Sequence, residues 1–204
     1  MKRSIWASIG ICCGTFATAD TFPVTENAVF TFQGEEVVIS RSALLDDPRL
    51  SALSAPAADC PAPCLAPMQA APGVPTLGEL DVIAFLSSDV EAGDGLLIDA
   101  RMPDERSLGF IPASVNIPAV TMSDANPYRG DILQALGARE YQGILSFEEA
   151  RRLVIFDHGP SAMDASAMIA TLIEAGYPAD KLGYYRGGMQ VWAALGLTIA
   201  GAAQ

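Results

Sequence analysis

Basic residues are scarce in this chain: 12 Lys and Arg face 24 Asp and Glu, a formal charge of −12 over 204 residues. Such a surface repels phosphate backbones and anionic bilayers, so neither nucleic acid nor a membrane is expected as a partner. It also disfavours a freely diffusing polyanion as substrate. Histidine is scarcer still, with His158 the single one. A lone imidazole beside Asp157 can carry a proton, but the loop offers no nucleophile for it to serve. Cysteine is limited to four residues. Two of them, Cys12 and Cys13, fall in the N-terminal leader, which leaves Cys60 and Cys64. A closed tetrahedral zinc site needs more ligands than their segment provides. Past the leader, no stretch is apolar enough to anchor the chain in a bilayer.

What is present at the N-terminus reads as an export signal. Lys2-Arg3 forms a short basic region, Ile5 to Phe16 is mostly apolar, and Ala17-Thr18-Ala19 fits the small-x-small cleavage pattern before Asp20. Residues 1–19 are therefore expected to be a signal peptide, with the mature protein periplasmic or secreted. Residues 20–75 form an N-terminal extension. Within it, Val29-Phe30-Thr31-Phe32 and Val37-Val38-Ile39-Ser40 flank Gln33-Gly34-Glu35-Glu36, which predicts a β-hairpin. A short helix is expected within 42–53. From Ser54 to Pro75 the chain is rich in Pro and Ala and is read as an irregular connector. Thr76-Leu77-Gly78-Glu79 then offers a capping box, with Leu77, Leu80, Ile83 and Ala84 on one helical stripe and Val82, Phe85 and Leu86 widening it.

The densest information lies between Arg152 and Trp192. Leu153-Val154-Ile155-Phe156 is a continuous apolar run of the kind that forms a strand buried on both faces. Asp157-His158-Gly159-Pro160-Ser161-Ala162 breaks the pattern. A helical stripe of Met168, Ile169, Leu172 and Ile173 follows and runs to a C-cap at Gly176. A loop between a strand and a helix aims several N–H groups at one point, with the helix dipole behind them, and so forms an anion cradle. At its start stands an aspartate. Asp157 reads either as a helix-capping acid, contributing about 1 kcal/mol, or as a carboxylate that fills the cradle or touches a ligand. Asp164 adds to the same dipole effect. Tyr184-Tyr185 is read as a short strand with one ring inward and one outward.

These residues resemble the rhodanese-like family, whose active-site loop joins a strand to a helix and normally begins with a nucleophilic cysteine. Leu97-Ile98-Asp99-Ala100-Arg101 with Glu105 is similar to the family's "LIDVR…E" strand and turn. Residues 109–118 are similar to its "GHIPGAINIP", with Phe110 for the usual His and Ala113 for Gly. Gly187-Gly188 and Trp192 resemble its "GG…W" signature. The resemblance covers roughly residues 76–200. It implies an α/β fold: a small, mainly parallel sheet with helices on both faces, over residues 76–204, here preceded by the hairpin extension. In the "CNGPWC" variant of the loop, Asp157 falls where the first cysteine belongs and Ala162 where the second would lie. Sulfur transfer in the family runs through a persulfide on that first cysteine. A carboxylate cannot carry sulfane sulfur. The resemblance thus implies a catalytically inactive module for a small anion or a protein partner, with no cofactor. Asp99, Arg101 and Glu105 are read as a salt-bridged turn forming the pocket floor. Arg106 and Arg186 either face the cradle or are solvated.

Cys60 and Cys64, four residues apart in a Pro-rich segment, support three readings. One is a structural disulfide, the ordinary outcome for near neighbours in an oxidising compartment. In another, one of them reaches the cradle and supplies the missing thiol for sulfur relay or thiol–disulfide exchange. The last is a soft-ligand set for Cu(I) formed with Met68.

Overall fold

The apolar runs at residues 95–99 and 153–156 become the two central strands of a parallel sheet, and the layers around them follow from burying both faces. The computed structural model describes residues 27–41, 47–56 and 65–201. The leader and both of Cys60 and Cys64 lie outside the described residues. In chain order the elements are β1 (Asn27–Phe32), β2 (Glu35–Ser40), α1 (Arg49–Ser54), α2 (Glu79–Phe85), β3 (Gly95–Asp99), α3 (Pro103–Ser107) and β4 (Ser114–Asn116). They continue with α4 (Arg129–Ala135), β5 (Arg139–Tyr141), β6 (Ile144–Ser146), β7 (Arg152–Phe156), α5 (Asp164–Glu174), β8 (Leu182–Tyr185) and α6 (Gly188–Ala194).

The main sheet has the order β4-β3-β7-β8, and every pair in it is parallel. Side chains alternate between the two faces. Along β7, Leu153 and Ile155 enter a core shared with Met168, Ile169 and Leu172 of α5, and with Leu133 of α4. Val154 and Phe156 point the other way, into a core built by Val82 and Phe85 of α2 and by Met189 and Trp192 of α6. Helices therefore cover both faces. The hairpin, placed by its sequence but not by its packing, belongs to this second layer: Phe30, Ile39 and Leu53 of α1 join the same cluster. Its turn, Gln33-Gly34, has both residues at positive φ, as a two-residue hairpin turn demands.

Several expectations need correction. Tyr184 and Tyr185 do point to opposite faces, but both are fully buried, because this strand has no solvent face. The helix after the connector starts two residues later than the expected box. Asp81 accepts the Gly78 N–H at 2.9 Å, and Thr76 is instead bridged to Tyr184 and donates its hydroxyl to the Met68 carbonyl. Leu80 is consequently 68% exposed, while Val82, Phe85 and Leu86 carry the burial. A second antiparallel pair, β5–β6, was not expected from the sequence.

Candidate functional site

At the C-terminal end of β7 the chain turns through residues 157–163 before α5 begins. Asp157 sits at the mouth of that turn and is wholly buried. One carboxylate oxygen accepts the Gly159 N–H at 2.9 Å and the other accepts the Ala165 N–H at 2.9 Å. The residue flanking α5, Met163, makes no side-chain cap. Asp157 thus caps the helix from across the loop and, with the same two bonds, takes up N–H groups that an anion would need. No cation stands within ion-pair reach of it among the described residues. Burial pushes its carboxyl up to about 7 against the lowering pull of the two N–H bonds, and the charges of Asp164 and Asp99 push the same way.

Glycine is required next to this loop. A Cβ on Gly188, whose φ is +54°, would come within 2.5 Å of the Asp157 carbonyl and 2.6 Å of the Gly159 nitrogen. That approach lets the start of α6 dock on the turn, where the Met189 and Gln190 amides donate to the Asp157 and His158 carbonyls.

Asp99 and two arginines form a separate charge cluster, and none of them lines the cavities found among the described residues. Arg101 binds both oxygens of Asp99, at 2.9 and 2.7 Å, and both side chains are buried. Arg106 adds a further bond to Asp99 at 3.0 Å and lies over the Phe110 ring, 3.7 Å from its centre. Phe110 thereby serves as a cation–π platform. Glu105 takes no part in the ion pairing expected of it. Its carboxylate accepts the Met102 N–H at the start of α3. Arg106 is thus committed to Asp99 rather than to the cradle.

The rest of the loop is held by the extension. His158 donates from Nε2 to the Ala55 carbonyl at 2.6 Å, and its Nδ1 lies 4.0 Å from Glu105. Gln190 donates to the Ser54 carbonyl at 3.1 Å. The Ala66 N–H donates to the Pro160 carbonyl at 2.7 Å, and Arg186 holds the Ala66 carbonyl with two bonds at 3.0 and 3.1 Å. Arg186 therefore neither pairs with Asp157 nor stands free. Sequence reasoning missed Gln190, Ser54, Ala55 and Ala66. Three of these four contribute only backbone atoms, which leave no mark in a sequence.

Beside the loop lies a cavity of about 580 Å³, lined by Pro56, Leu65, Pro160, Ser161, Gln190 and Leu195 among others. Ser161 and Ala162 are themselves buried. Met68 is exposed, and Cys60 and Cys64 lie outside the described residues. No cluster of three or more His, Cys, Asp or Glu able to hold a metal ion occurs among the described residues. Nor does any described helix have the length and apolarity to cross a membrane.

The family profile of the rhodanese-like domain matches residues 84–195, more than half of the chain. The chain belongs to the rhodanese-like domain family. The strand–loop–helix turn described above lies inside that matched span. Among solved structures, a protein of unknown function from Rhodopseudomonas palustris, described as a possible tyrosine phosphatase, is 23% identical. The match covers 64% of this chain and 88% of that one, at a TM-score of 0.46. An As–Sb reductase from Leishmania major is 20% identical over 59% of this chain and 78% of that one, at a TM-score of 0.44. A thiosulfate sulfurtransferase from Pseudomonas aeruginosa is also 20% identical, over 64% of this chain but only 21% of that one, at a TM-score of 0.42. No curated protein matches the rhodanese-like chain described here.

Proposed function

We propose that this chain is an exported, non-catalytic rhodanese-like module that binds a small ligand or a protein rather than moving sulfur. One observation carries the reading: both oxygens of a buried Asp157 are spent on the loop's own amides, Gly159 and Ala165. On the family's pattern this is the seat of the sulfur nucleophile. A carboxylate oxygen there cannot hold sulfane sulfur, and its charge opposes an incoming anion. The cavity beside the loop, apolar but edged by Ser161 and Gln190, supports a binding role. The basic, apolar and small-residue order of residues 2–19 supports export.

A second reading has one specific observation behind it. Pro56 and Leu65, which bracket the segment bearing Cys60 and Cys64, both line the cavity shared with Pro160 and Ser161. A thiolate delivered there would take the outer sulfur of thiosulfate, release sulfite, and pass the sulfur to cyanide as thiocyanate.

A thiosulfate–cyanide transfer assay separates the two. The full chain is expected to form no thiocyanate above the blank, and Asp157→Cys to gain turnover. Turnover by the unaltered chain that vanishes in Cys64→Ser would overturn the binding reading in favour of the thiol one.

A further inference from the structure

The extension's backbone is bound to the loop at two places, and the chemistry of the two sides is unequal. At one place Ser54 and Ala55 offer only carbonyls, to Gln190 at 3.1 Å and to His158 at 2.6 Å. At the other, Ala66 offers its N–H to the Pro160 carbonyl at 2.7 Å and its carbonyl to Arg186 at 3.0 and 3.1 Å. The rhodanese-like domain commits its single histidine, a glutamine and an arginine to gripping main-chain atoms. Ala66 is only 4% exposed, although Leu65 and Met68 on either side of it are 65% and 69% exposed. The contact is therefore a local pinch, not the flank of a packed helix. Its donors come from the loop (His158), the end of β8 (Arg186) and α6 (Gln190), so the pinch ties together the three pieces that surround Asp157.

We infer that residues 54–56 and 65–68 form an intramolecular strap that holds the Asp157 loop in place, so that the loop opens only when the strap lets go. The inference concerns access to the loop and holds whether the site binds or transfers. Three of the grips are side-chain bonds to carbonyls and the fourth is the Ala66 N–H on Pro160, so each is a local contact that breaks at modest cost. No Lys or Arg pairs with a carboxylate of the loop among the described residues.

Hydrogen exchange on the full chain tests this at both ends of the strap. Arg186→Ala removes two bonds from the domain side, Ala66→Pro removes the N–H from the strap side, and His158→Ala releases the other limb. Amides of Gly159 and of residues 161–165 are expected to exchange on the order of tenfold faster in each variant, while those of β7 and β3 keep their protection. Unchanged loop exchange in all three variants overturns the strap. So does a parallel loss of protection in β7, because the contacts would then be part of the folding framework rather than a releasable tie.

Discussion

A buried carboxylate without a cation is costly, and Asp157 is one among the described residues. Its carboxyl is lifted from 3.8 to about 7, with burial as the first cause. Below about pH 4 the folded and unfolded chains both hold the proton, and the group withholds nothing from stability. Between there and about 7 the unfolded chain releases its proton first, so stability falls as pH rises, by up to about 4 kcal/mol in all. Asp157→Asn removes the titration. Urea unfolding at pH 4 and pH 8 should show the fall in the parent and a fall smaller by several kcal/mol in the variant. Equal falls in the two proteins would mean that Asp157 is not the buried acid described here. At this scale the sequence revealed the aspartate, because an apolar run ends on it and Gly159-Pro160 marks the loop. It concealed the partners. The amides of Gly159 and Ala165, and the backbone atoms of Ser54, Ala55 and Ala66, carry no side-chain signature.

At the scale of elements, burial on both faces explains what was readable and what was not. β7 and α5 were plain, since a short apolar run ended by a Gly-Pro loop matches a buried strand and a 3.6-residue stripe matches a helix. Tyr184-Tyr185 was misread because alternation assumes that one face meets water, and β8 is covered on both faces. Thr76 was misread as a helix cap because its hydroxyl serves the Met68 carbonyl. The second hairpin did leave a trace: Gln142-Gly143 repeats the dipeptide of the first turn, and both pairs adopt positive φ. Its strands went unnoticed because Arg139-Glu140-Tyr141 is exposed throughout and shows no alternation. Ala113, at φ +63°, stands where the family's pattern has glycine, a backbone shape that a side chain adopts at a cost. Leu53 of α1 is fully buried in the layer with Trp192. Leu53→Ala should cost about 2–5 kcal/mol in a single cooperative unfolding transition. A cost under about 0.5 kcal/mol, the size of an ordinary surface change, would detach the extension from the core.

At the scale of the whole molecule, an acidic chain builds a four-stranded parallel sheet and covers both faces. It then folds its own N-terminal extension onto the loop that follows β7. The fold was readable because four motifs fell in order along the sequence. The state of the loop was not, because it depends on which amides reach one carboxylate. The proposal that Asp157 stands in the sulfur nucleophile's place and that no other group replaces it is tested most directly by intact-mass spectrometry after incubation with a sulfane donor. The parent chain should show no gain, and Asp157→Cys should gain about 32 Da for one sulfur atom. A gain of that size in the parent, on any peptide, would contradict the account, and its position would identify the thiol responsible.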